Sequence, residues 1–349
     1  NLMDKKKVLI FGAGSIGNHM TYASINLGYK VFITDKSQTA LNRMKKLIYK
    51  KRYGKWNKEI TQVSYKEVFK NKFFFDLIII GTPPDTHLDL AENIIKNLKF
   101  KNILIEKPLF PFNQKKINLS NKKIHGNIFC GYNHSLSNSF LEFIKILSNK
   151  KFRNINFIDI QWREGWEGIL GAHFWMKNEY DSYLGNYLKG GGASQEHSHS
   201  IHLGYILKKL FLKKDCKYKS GQTYFQKSGK KKYDKFSQLF FANKTQSMNI
   251  SIDLFSPVAK KEILVCSDRF KVKLEINFKK NQDAITTYSN GKQKIEIFKK
   301  TRSIEFENEL NHIKKINNAT QYKNSSINLS NAVETIKIIK KHFTYCDKK

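Results

Sequence analysis

Residues 7–17 read KVLIFGAGSIG and decide the fold of the first part of this chain. The run 7–11 is short and mostly apolar, which predicts a buried strand. It leads at once into a G-x-G-x-x-G turn at residues 12–17, and an amphipathic helical pattern follows over residues 16–27. A strand that passes through such a turn directly into a helix is typical of a dinucleotide-binding βαβ unit.

Each glycine of this turn has its own predicted role. Gly12 permits a tight turn, Gly14 lets the backbone approach a pyrophosphate, and Gly17 lets helix and strand pack closely. The helix begins at Ser15 and Ile16, where backbone N–H groups point toward the phosphates. The alternative is a tight turn that binds nothing.

An acidic residue follows at the spacing that this motif requires. Residues 31–34 predict a second strand, and Asp35 ends it, 23 residues after Gly12. A carboxylate there can accept hydrogen bonds from both ribose hydroxyls and repels a 2′-phosphate, so NAD is the expected cofactor and NADP is less favoured. Lys36 stands beside Asp35 and leaves this preference open.

The composition excludes several classes of protein. With 349 residues, 40% of them hydrophobic, the chain can build two domains with sizeable cores. We find no apolar run near the ~18 residues of a membrane span. The four cysteines lie far apart without C-x-x-C spacing, which fits a reducing compartment. We therefore expect a cytoplasmic protein without a membrane partner.

The formal net charge of +34 suggests a nucleic-acid partner, but the residue types do not support one. Only six of the 63 basic residues are arginine, whose planar fork suits base and phosphate recognition. The lysine clusters are also scattered along the chain. We therefore expect no nucleic acid as partner, although a positive field favours anionic small substrates.

The apolar runs predict an α/β protein of two domains. Residues 1–133 alternate strands with helices, which predicts a Rossmann domain with a doubly wound parallel sheet. Residues 134–349 predict an α+β domain for substrate binding and oligomerisation, with a mostly antiparallel open sheet. Its C-terminal helix is free to pack back on the first domain.

The individual elements follow from the same patterns. In the first domain, strands are expected at residues 7–11, 31–34, 76–80, 102–105 and 128–132, with a helix at 88–98 and a weaker one between 113 and 123. In the second domain, strands are expected at residues 155–163, 222–226, 237–242, 248–254, 262–265, 271–276 and 294–298. Helices are expected there at residues 138–148, 305–316 and 328–341.

Three further turns follow predicted strands of the first domain. Residues 81–87 read GTPPDTH, residues 106–109 read EKPL, and residues 131–133 read GYN. Together with the glycine turn, this order resembles the glucose–fructose oxidoreductase and inositol dehydrogenase family (Gfo/Idh/MocA). The resemblance implies an NAD(P)-dependent dehydrogenase or reductase acting on CH–OH groups. It also implies site residues on these turns: Thr82, Pro83, His87, Glu106 and Lys107 at the cofactor, and Lys107 and Asn133 at the substrate.

Lys107 is the candidate catalytic cation. It follows a buried strand and precedes a proline, so its ammonium group is aimed in one direction. A cation there can donate a hydrogen bond to a substrate hydroxyl and stabilise a developing alkoxide. The resemblance assigns this role to Lys107, and an ordinary solvated lysine is the alternative. His87 is interpreted as the start of a helix near the cofactor, not as a catalyst.

A histidine-rich segment carries the candidate base. Residues 190–202 read GGGASQEHSHSIH, and a helix would place Glu196, His199 and His202 on one face. Oxidation of an alcohol needs a base for the hydroxyl proton, and histidine suits that role at neutral pH. The resemblance implies such a histidine after a G-G-G turn, with an acid one turn earlier. His199 and Glu196 match best, and His202 stays open as the alternative base.

The segment also departs from the family pattern. Relatives often have acidic residues where Ser200 and His202 stand. The three residues at helical spacing could instead hold zinc, but no second cluster with ligand spacing supports that, so no metal is predicted.

An aromatic stretch and one arginine could meet the substrate. The region 162–187 contains several tryptophans and tyrosines, among them Trp175, which could line a sugar pocket or fill the core. Arg163 stands beside Trp162 at a predicted strand end and suits a carboxylate or phosphate of the substrate.

These observations predict an NAD(H)-dependent oxidoreductase for a secondary alcohol of a sugar, sugar acid, cyclitol or nucleotide-sugar, by analogy in surface-polysaccharide metabolism. One alternative keeps the NAD site but cycles the cofactor internally, as in NAD-dependent glycosidases. Another is a non-enzymatic protein that binds NAD or nucleic acid. The resemblance further implies a homodimer or homotetramer.

Overall fold

The computed structural model describes residues 5–70, 73–114, 126–152 and 154–348, and these divide into two compact units. The first unit comprises residues 1–110, 114–133 and 303–329. The second comprises residues 111–113, 134–302 and 330–349. Residues 303–329, which the sequence analysis assigned to the second domain, thus group with the first unit, whereas the end of the chain groups with the second.

The first unit is built on six parallel strands. They are β1 (Lys7–Phe11), β2 (Lys30–Thr34), β3 (Ile60–Gln62), β4 (Phe74–Ile80), β5 (Lys99–Ile105) and β6 (Asn127–Cys130). Their order is β3-β2-β1-β4-β5-β6, and every neighbouring pair is parallel. This is the doubly wound order whose topological switch lies between β1 and β4, so the predicted Rossmann sheet is confirmed.

Helices connect these strands. They are α1 (Ser15–Asn26), α2 (Gln38–Arg43), α3 (Tyr49–Tyr53), α4 (Tyr65–Val68) and α5 (His87–Asn97), with a π-helical stretch (Met44–Ile48) between α2 and α3. The central strands are buried almost completely: residues 8–11 of β1 and 78–80 of β4 have no exposed surface. Such strands are continuous apolar runs because both faces of the sheet are covered. The weaker helix expected between residues 113 and 123 falls mostly outside the described residues.

The second unit begins with helices around one long sheet. The helices are α6 (Asn138–Ser148), α7 (Trp166–Ala172), α8 (Ala193–Glu196) and α9 (Ser198–Phe211). The strands are β7 (Phe157–Arg163), β8 (Lys217–Ser228), β9 (Lys231–Ala242), β10 (Ser247–Asp253), β11 (Lys260–Cys266), β12 (Phe270–Lys279), β13 (Gln282–Ser289) and β14 (Lys292–Lys299).

This sheet is antiparallel except at its centre. Its order is β14-β13-β12-β11-β7-β10-β9-β8, and among these neighbours β7 and β10 pair in parallel. The predicted mostly antiparallel sheet is confirmed. The sequence analysis missed β13, because the buried polar residues Asp283 and Thr286 hide its alternation.

Three helices close the chain: α10 (Ile304–Lys315), α11 (Ala319–Asn324) and α12 (Leu329–Cys346). In the first unit, α10 packs against α1, and the Tyr322 hydroxyl of α11 donates to the backbone oxygen of Ile128 at 2.7 Å. No helix among the described residues has the length and apolar character needed to cross a membrane.

One acidic residue of α10 is completely buried. Glu309 has no exposed surface, and neither carboxyl oxygen has a hydrogen-bond partner among the described residues. Burial, with a further contribution from the charge of Glu106, raises the pKa of Glu309 well above its usual value. The folded protein therefore holds this carboxyl group in its neutral form.

This burial makes the stability of the protein depend on pH. Because the pKa of Glu309 is higher in the folded than in the unfolded state, its stabilising contribution is full below the unfolded value near 4.5 and is lost as the pH rises. The wild type should lose up to about 1.4 kcal/mol per pH unit relative to Glu309→Gln until the folded group ionises. Urea unfolding between pH 5 and 9 measures this difference. Parallel curves for wild type and variant would contradict it, and Glu305→Gln on the same helix is the control.

Candidate functional site

The glycine turn after β1 is packed so tightly that a side chain on either of two glycines would force the backbone to shift. Gly12 has a φ of +104°, and a Cβ on it would lie 2.6 Å from the carbonyl oxygen of Gly81. A Cβ on Gly17 would overlap the carbonyl oxygen of Gly12. Gly14 is different, because no heavy atom of the described residues lies within 4 Å of its Cβ position. The turn thus leaves open space at Gly14, at the start of α1.

Asp35 is fixed against this turn from the end of β2. Its Oδ2 accepts a hydrogen bond from the backbone N–H of Ala13, and its Oδ1 accepts one from Ser37, both at 2.8 Å. Each carboxylate oxygen keeps further acceptor capacity for a ligand hydroxyl. The charge is therefore held in one place beside the helix N-terminus.

A cleft of about 420 Å³ opens at this edge of the first sheet. Several predicted cofactor residues meet on its wall, namely Gly12, Asp35, Lys36, Thr82 and Pro83. The other lining residues are Phe11, Thr34, Tyr65, Asp85, Thr86, Asp89, Leu90 and Asn93. Its size and its mixed apolar and polar wall suit part of a dinucleotide. With the open space at Gly14 and the fixed carboxylate, these residues fit a nicotinamide dinucleotide.

His87 joins the two turns that follow β4 and β5. The ring is completely buried at the start of α5; its Nε2 lies 2.8 Å from the carbonyl oxygen of Thr82, to which an N–H there donates. Its Nδ1 lies 3.2 Å from the carbonyl oxygens of Pro108 and Leu109. Burial lowers the pKa of His87, although the neighbouring carbonyl oxygens oppose this. The sequence analysis saw the helix start but not this connection.

Lys107 is more exposed than the residues on either side of it. All residues from 102 to 111 are buried except Lys107, which is partly exposed, and the Lys107–Pro108 peptide bond is cis. Glu106 is 5% exposed, and its carboxyl group fills the space beside Gly131, where a Cβ would lie 2.7 Å from Oε2. Asn133 is also buried, at 6%. The turn after β5 therefore presents one side chain, the lysine.

The histidine-rich segment does not form one continuous helix. Helix α8 ends at Glu196 and α9 begins at Ser198, with His197 between them. Glu196 and His199 are partly exposed, whereas His202 is completely buried and its Nδ1 lies 3.0 Å from the Thr335 hydroxyl oxygen. Among the described residues, no group of three or more potential ligands is placed to hold a metal ion, so the zinc alternative has no geometric support.

The turn before α8 depends on a residue that the sequence analysis missed. Asp234 of β9 is completely buried, and its Oδ2 accepts hydrogen bonds from the backbone N–H and the hydroxyl of Ser194, at 2.8 and 2.6 Å. A Cβ on Gly192, which has a φ of +85°, would overlap Oδ1 of Asp234. Burial raises the pKa of Asp234 to about 6. The available signal was an acidic residue among the alternating positions of a strand.

The ring of His199 packs against two other rings. Its centre lies 4.5 Å from that of His134 and 6.2 Å from that of Trp162. Trp162 is 1% exposed and belongs to the buried side of β7. The sequence analysis did not single out His134.

The structure does not bring Arg163 to the same side as His199. Burial alternates along β7, so that Trp162 faces the core and Arg163 points to the other face of the sheet. There its Nε lies 3.9 Å from Oδ2 of Asp253, its partner residue on β10. Trp175 is partly exposed, and its ring packs against His173 and Phe174.

The glycine turn allows folding and binding to be separated by mutation. Gly17→Ala should destabilise the protein by about 1–3 kcal/mol, because its Cβ overlaps backbone that must shift. Gly14→Val should leave the unfolding free energy within about 0.5 kcal/mol and weaken NADH binding at least tenfold, because its side chain enters the open space. Urea unfolding and NADH fluorescence titration measure the two effects. Equal loss of stability in both variants would contradict this assignment.

Comparison with known proteins identifies the first unit. Residues 6–128 match the model of the Gfo/Idh/MocA family, an oxidoreductase family with an NAD-binding Rossmann fold. No curated protein matches this chain. This match covers the glycine turn, Asp35 and the turns after β4 and β5.

Solved structures share the fold over nearly the whole chain. The 3-ketoreductase KijD10 from Actinomadura kijaniata, in complex with NADP and TDP-benzene, is 9% identical over 98% of each chain, with a TM-score of 0.73. An aldose-aldose oxidoreductase from Caulobacter crescentus, complexed with glycerol, is 13% identical over 99% of this chain and 98% of its own, with a TM-score of 0.74. An oxidoreductase from Agrobacterium radiobacter, in complex with NAD⁺, L-tartaric acid and magnesium, is 11% identical over 99% and 97%, with a TM-score of 0.70.

The family match and the shared fold cover different lengths of the chain. The match comes from the sequence of the Rossmann unit, and the structural similarity extends the same architecture through the second unit. The match of the Rossmann unit to the Gfo/Idh/MocA oxidoreductase family, together with the shared fold, supports a dehydrogenase or reductase with a nicotinamide cofactor site.

Proposed function

We propose that this enzyme transfers a hydride between NAD and a secondary alcohol carbon of a sugar, sugar acid, cyclitol or nucleotide-sugar. The observation that carries this proposal is the setting of Lys107, a partly exposed cation in a segment that is otherwise buried, at the carboxyl end of β5. Open α/β sheets bind ligands at this edge. His87 supports the position of Lys107, because its buried ring packs between the Pro108–Leu109 backbone and the turn after β4.

We assign the proton transfer to His199. In the oxidation direction, an imidazole nitrogen of His199 takes the proton of the substrate hydroxyl, while the hydride leaves the carbon of the same C–O bond. When bound, the nicotinamide supplies the acceptor for that hydride, or its donor in the reverse direction. Lys107 donates a hydrogen bond to the substrate oxygen and stabilises its negative charge as the proton leaves.

Exposure favours His199 over His202 as the base. His199 is partly exposed, whereas His202 has no exposed surface and lies against Thr335. A base must come within hydrogen-bond reach of its substrate. We therefore propose a structural role for His202, and we place Glu196, also partly exposed and three residues before His199, as the acidic partner that balances the charge of the protonated base.

We infer a preference for NAD over NADP. The carboxylate of Asp35 is held by two backbone N–H groups, so it cannot easily turn away from a 2′-phosphate at the ribose position. Lys36 stands next to it, with its ammonium 5.4 Å from the ring centre of Tyr65. The similar structures contain either NADP or NAD⁺, so the choice depends on residues of this chain.

The sugar-like substrate rests on the similar proteins and on the charge of the chain. A 3-ketoreductase with TDP-benzene and an aldose-aldose oxidoreductase share this fold. The net charge of +34 favours an anionic substrate. Trp175 remains a candidate for the sugar pocket. Arg163 is a weaker candidate, because it lies on the sheet face opposite Trp162.

We also propose, from the sequence, that the enzyme acts in surface-polysaccharide sugar metabolism, that it lies in the cytoplasm, and that it forms a homodimer or homotetramer. Native mass spectrometry of the purified protein addresses the last of these.

The catalytic assignment predicts large losses of turnover with small losses of cofactor binding. Lys107→Ala should lower kcat about 10²–10³-fold and His199→Gln about 10²–10⁴-fold on the best substrate of a sugar and sugar-acid panel. Both variants should bind NADH within about threefold of the wild type. Absorbance of NADH at 340 nm follows turnover. Lys101→Ala removes an exposed lysine from the same strand and is the control.

Either of two results would contradict this assignment: full activity in both variants, or no nucleotide binding by the wild type. Turnover of a glycoside without net formation of NADH would instead support internal cycling of the cofactor.

The cofactor preference has its own test. Asp35→Asn keeps an acceptor oxygen but removes the charge, so the ratio of NADPH to NADH affinity should rise about tenfold or more. Asp89→Asn removes a carboxylate from the wall of the same cleft and should change the ratio less than about threefold. Fluorescence titrations with both nucleotides give the ratio. A wild type that already binds NADPH as tightly as NADH would contradict the preference.

A further inference from the structure

His134 lies where it can act on the candidate base. It belongs to a 3₁₀ turn, Asn133–Leu136, directly after the end of the G-Y-N motif. Its ring and that of His199 meet edge to face, with centres 4.5 Å apart and planes at 86°. At this separation, the edge of one imidazole is in van der Waals contact with the face of the other.

A third ring holds both imidazoles in place. Trp162 lies 5.3 Å from His134 at an angle of 74°, and 6.2 Å from His199 at an angle of 24°. Trp162 is 1% exposed and comes from the central strand β7, so the packing of the core fixes its ring beside both imidazoles. The three rings come from a turn, a strand and a helix, so packing between separate elements fixes their arrangement.

We propose that His134 is a positioning residue for His199: its ring fixes the plane of the His199 imidazole, and the pair together carries at most one positive charge during turnover. This inference rests on the proposed role of His199 as the base. In the oxidation direction the substrate proton comes to rest on His199, and His134 is then neutral. When the proton returns to the substrate oxygen in the reverse reaction, both rings are neutral.

The physical reason is repulsion at short range. Two imidazolium ions with centres 4.5 Å apart repel each other strongly in a partly buried site, so a proton on one ring disfavours a proton on the other. The titration then belongs to the pair and not to either ring. A neutral His134 also offers its ring face or edge to a charged His199, a contact that stabilises the cation.

Other ionisable groups lie on the elements around His199, and their charges also affect its titration. Lys261 of β11 places its ammonium 5.5 Å from the ring centre of Trp162 and pairs with Glu164 at 2.7 Å. Asp234 anchors the start of α8. The remaining groups on α8, α9, β7 and β10 and in the turn between the two helices are Glu196, His197, His202, Tyr205, Lys208, Lys209, Asp159, Arg163 and Asp253. None of these is changed in the variants that follow.

NMR titration of the full-length protein tests the pair without any substrate. The ten histidines are labelled with ¹³C, and the His134 and His199 signals are assigned from His134→Phe and His199→Gln. In the wild type, both signals should titrate in two steps that share their midpoints. In His134→Phe, which keeps an aromatic ring on Trp162, His199 should titrate in one step. His312→Gln removes a histidine of the first unit, which contacts Ser325, and should leave the two steps unchanged.

A one-step titration of His199 with the same midpoint in wild type and His134→Phe would overturn the proposal. If His134→Phe does not fold, as judged by circular dichroism, His134→Gln takes its place, because it also removes the second titrating ring. Its expected result is the same single step.

Kinetics give a second, independent readout on the best sugar substrate. On the high-pH plateau of the activity profile, His134→Phe should keep kcat within about threefold, whereas His134→Ala should lose about 10–100-fold because the His199 plane is no longer fixed. Towards pH 5, the activity of His134→Phe should fall at a higher pH than that of the wild type. In the variant, His199 takes up every proton that the pair would bind, whereas in the wild type His134 takes up part of them. Superimposable pH profiles would overturn the proposal. A wild type that turns over no sugar would contradict the proposed function, while the NMR result still decides the pairing.

Discussion

The first turn of α1 lies so close to the end of β1 that no side chain fits between them. A Cβ on Gly17 would overlap the Gly12 carbonyl oxygen, and Gly12 itself meets the backbone of Gly81 after β4. This three-way contact fixes the start of α1 between β1 and β4, where the order of the strands switches. The start of the glycine turn, the end of β2 and the turn after β4 then line one cleft. The cofactor site follows from this approach of backbones more than from any single ligand-binding side chain.

Each unit uses a carboxylate from a neighbouring strand to fix a glycine-rich turn. In the first unit Asp35 accepts the N–H of Ala13, and in the second unit Asp234 accepts the N–H of Ser194. Their settings differ, because Asp35 lines an open cleft whereas Asp234 is completely buried and its pKa is raised to about 6. The partly exposed carboxylate of Asp35 keeps lone pairs for a ligand, whereas Oδ2 of the buried Asp234 accepts hydrogen bonds from Ser194 and Ser237. The same interaction therefore supports binding in one place and shape in the other.

The sequence predicted what local patterns encode. Strand β1, the glycine turn and Asp35 lie within 29 residues, so their spacing alone indicates the fold, and helix α6 was predicted with the bounds that the structure shows. Long-range contacts were missed. Asp234 is 40 residues from Ser194 and His134 is 65 residues from His199, and no periodicity links such pairs. Strand β13 escaped because polar residues take its buried positions, and Arg163 was placed near the substrate without account of the alternation along β7.

A lysine is not distinctive in a chain with 63 basic residues, so the meaning of Lys107 must come from its surroundings. Most surface lysines are fully solvated, and their ammonium groups gain little from any fixed partner. The residues before and after Lys107 are buried. Glu106 packs beside Gly131, and the carbonyl oxygens of Pro108 and Leu109 lie 3.2 Å from Nδ1 of His87. A fixed backbone limits the directions in which the side chain of Lys107 can extend. The setting of Lys107 in this buried turn, and not its charge, is therefore what distinguishes it from a solvated surface lysine and makes it the candidate for the catalytic cation.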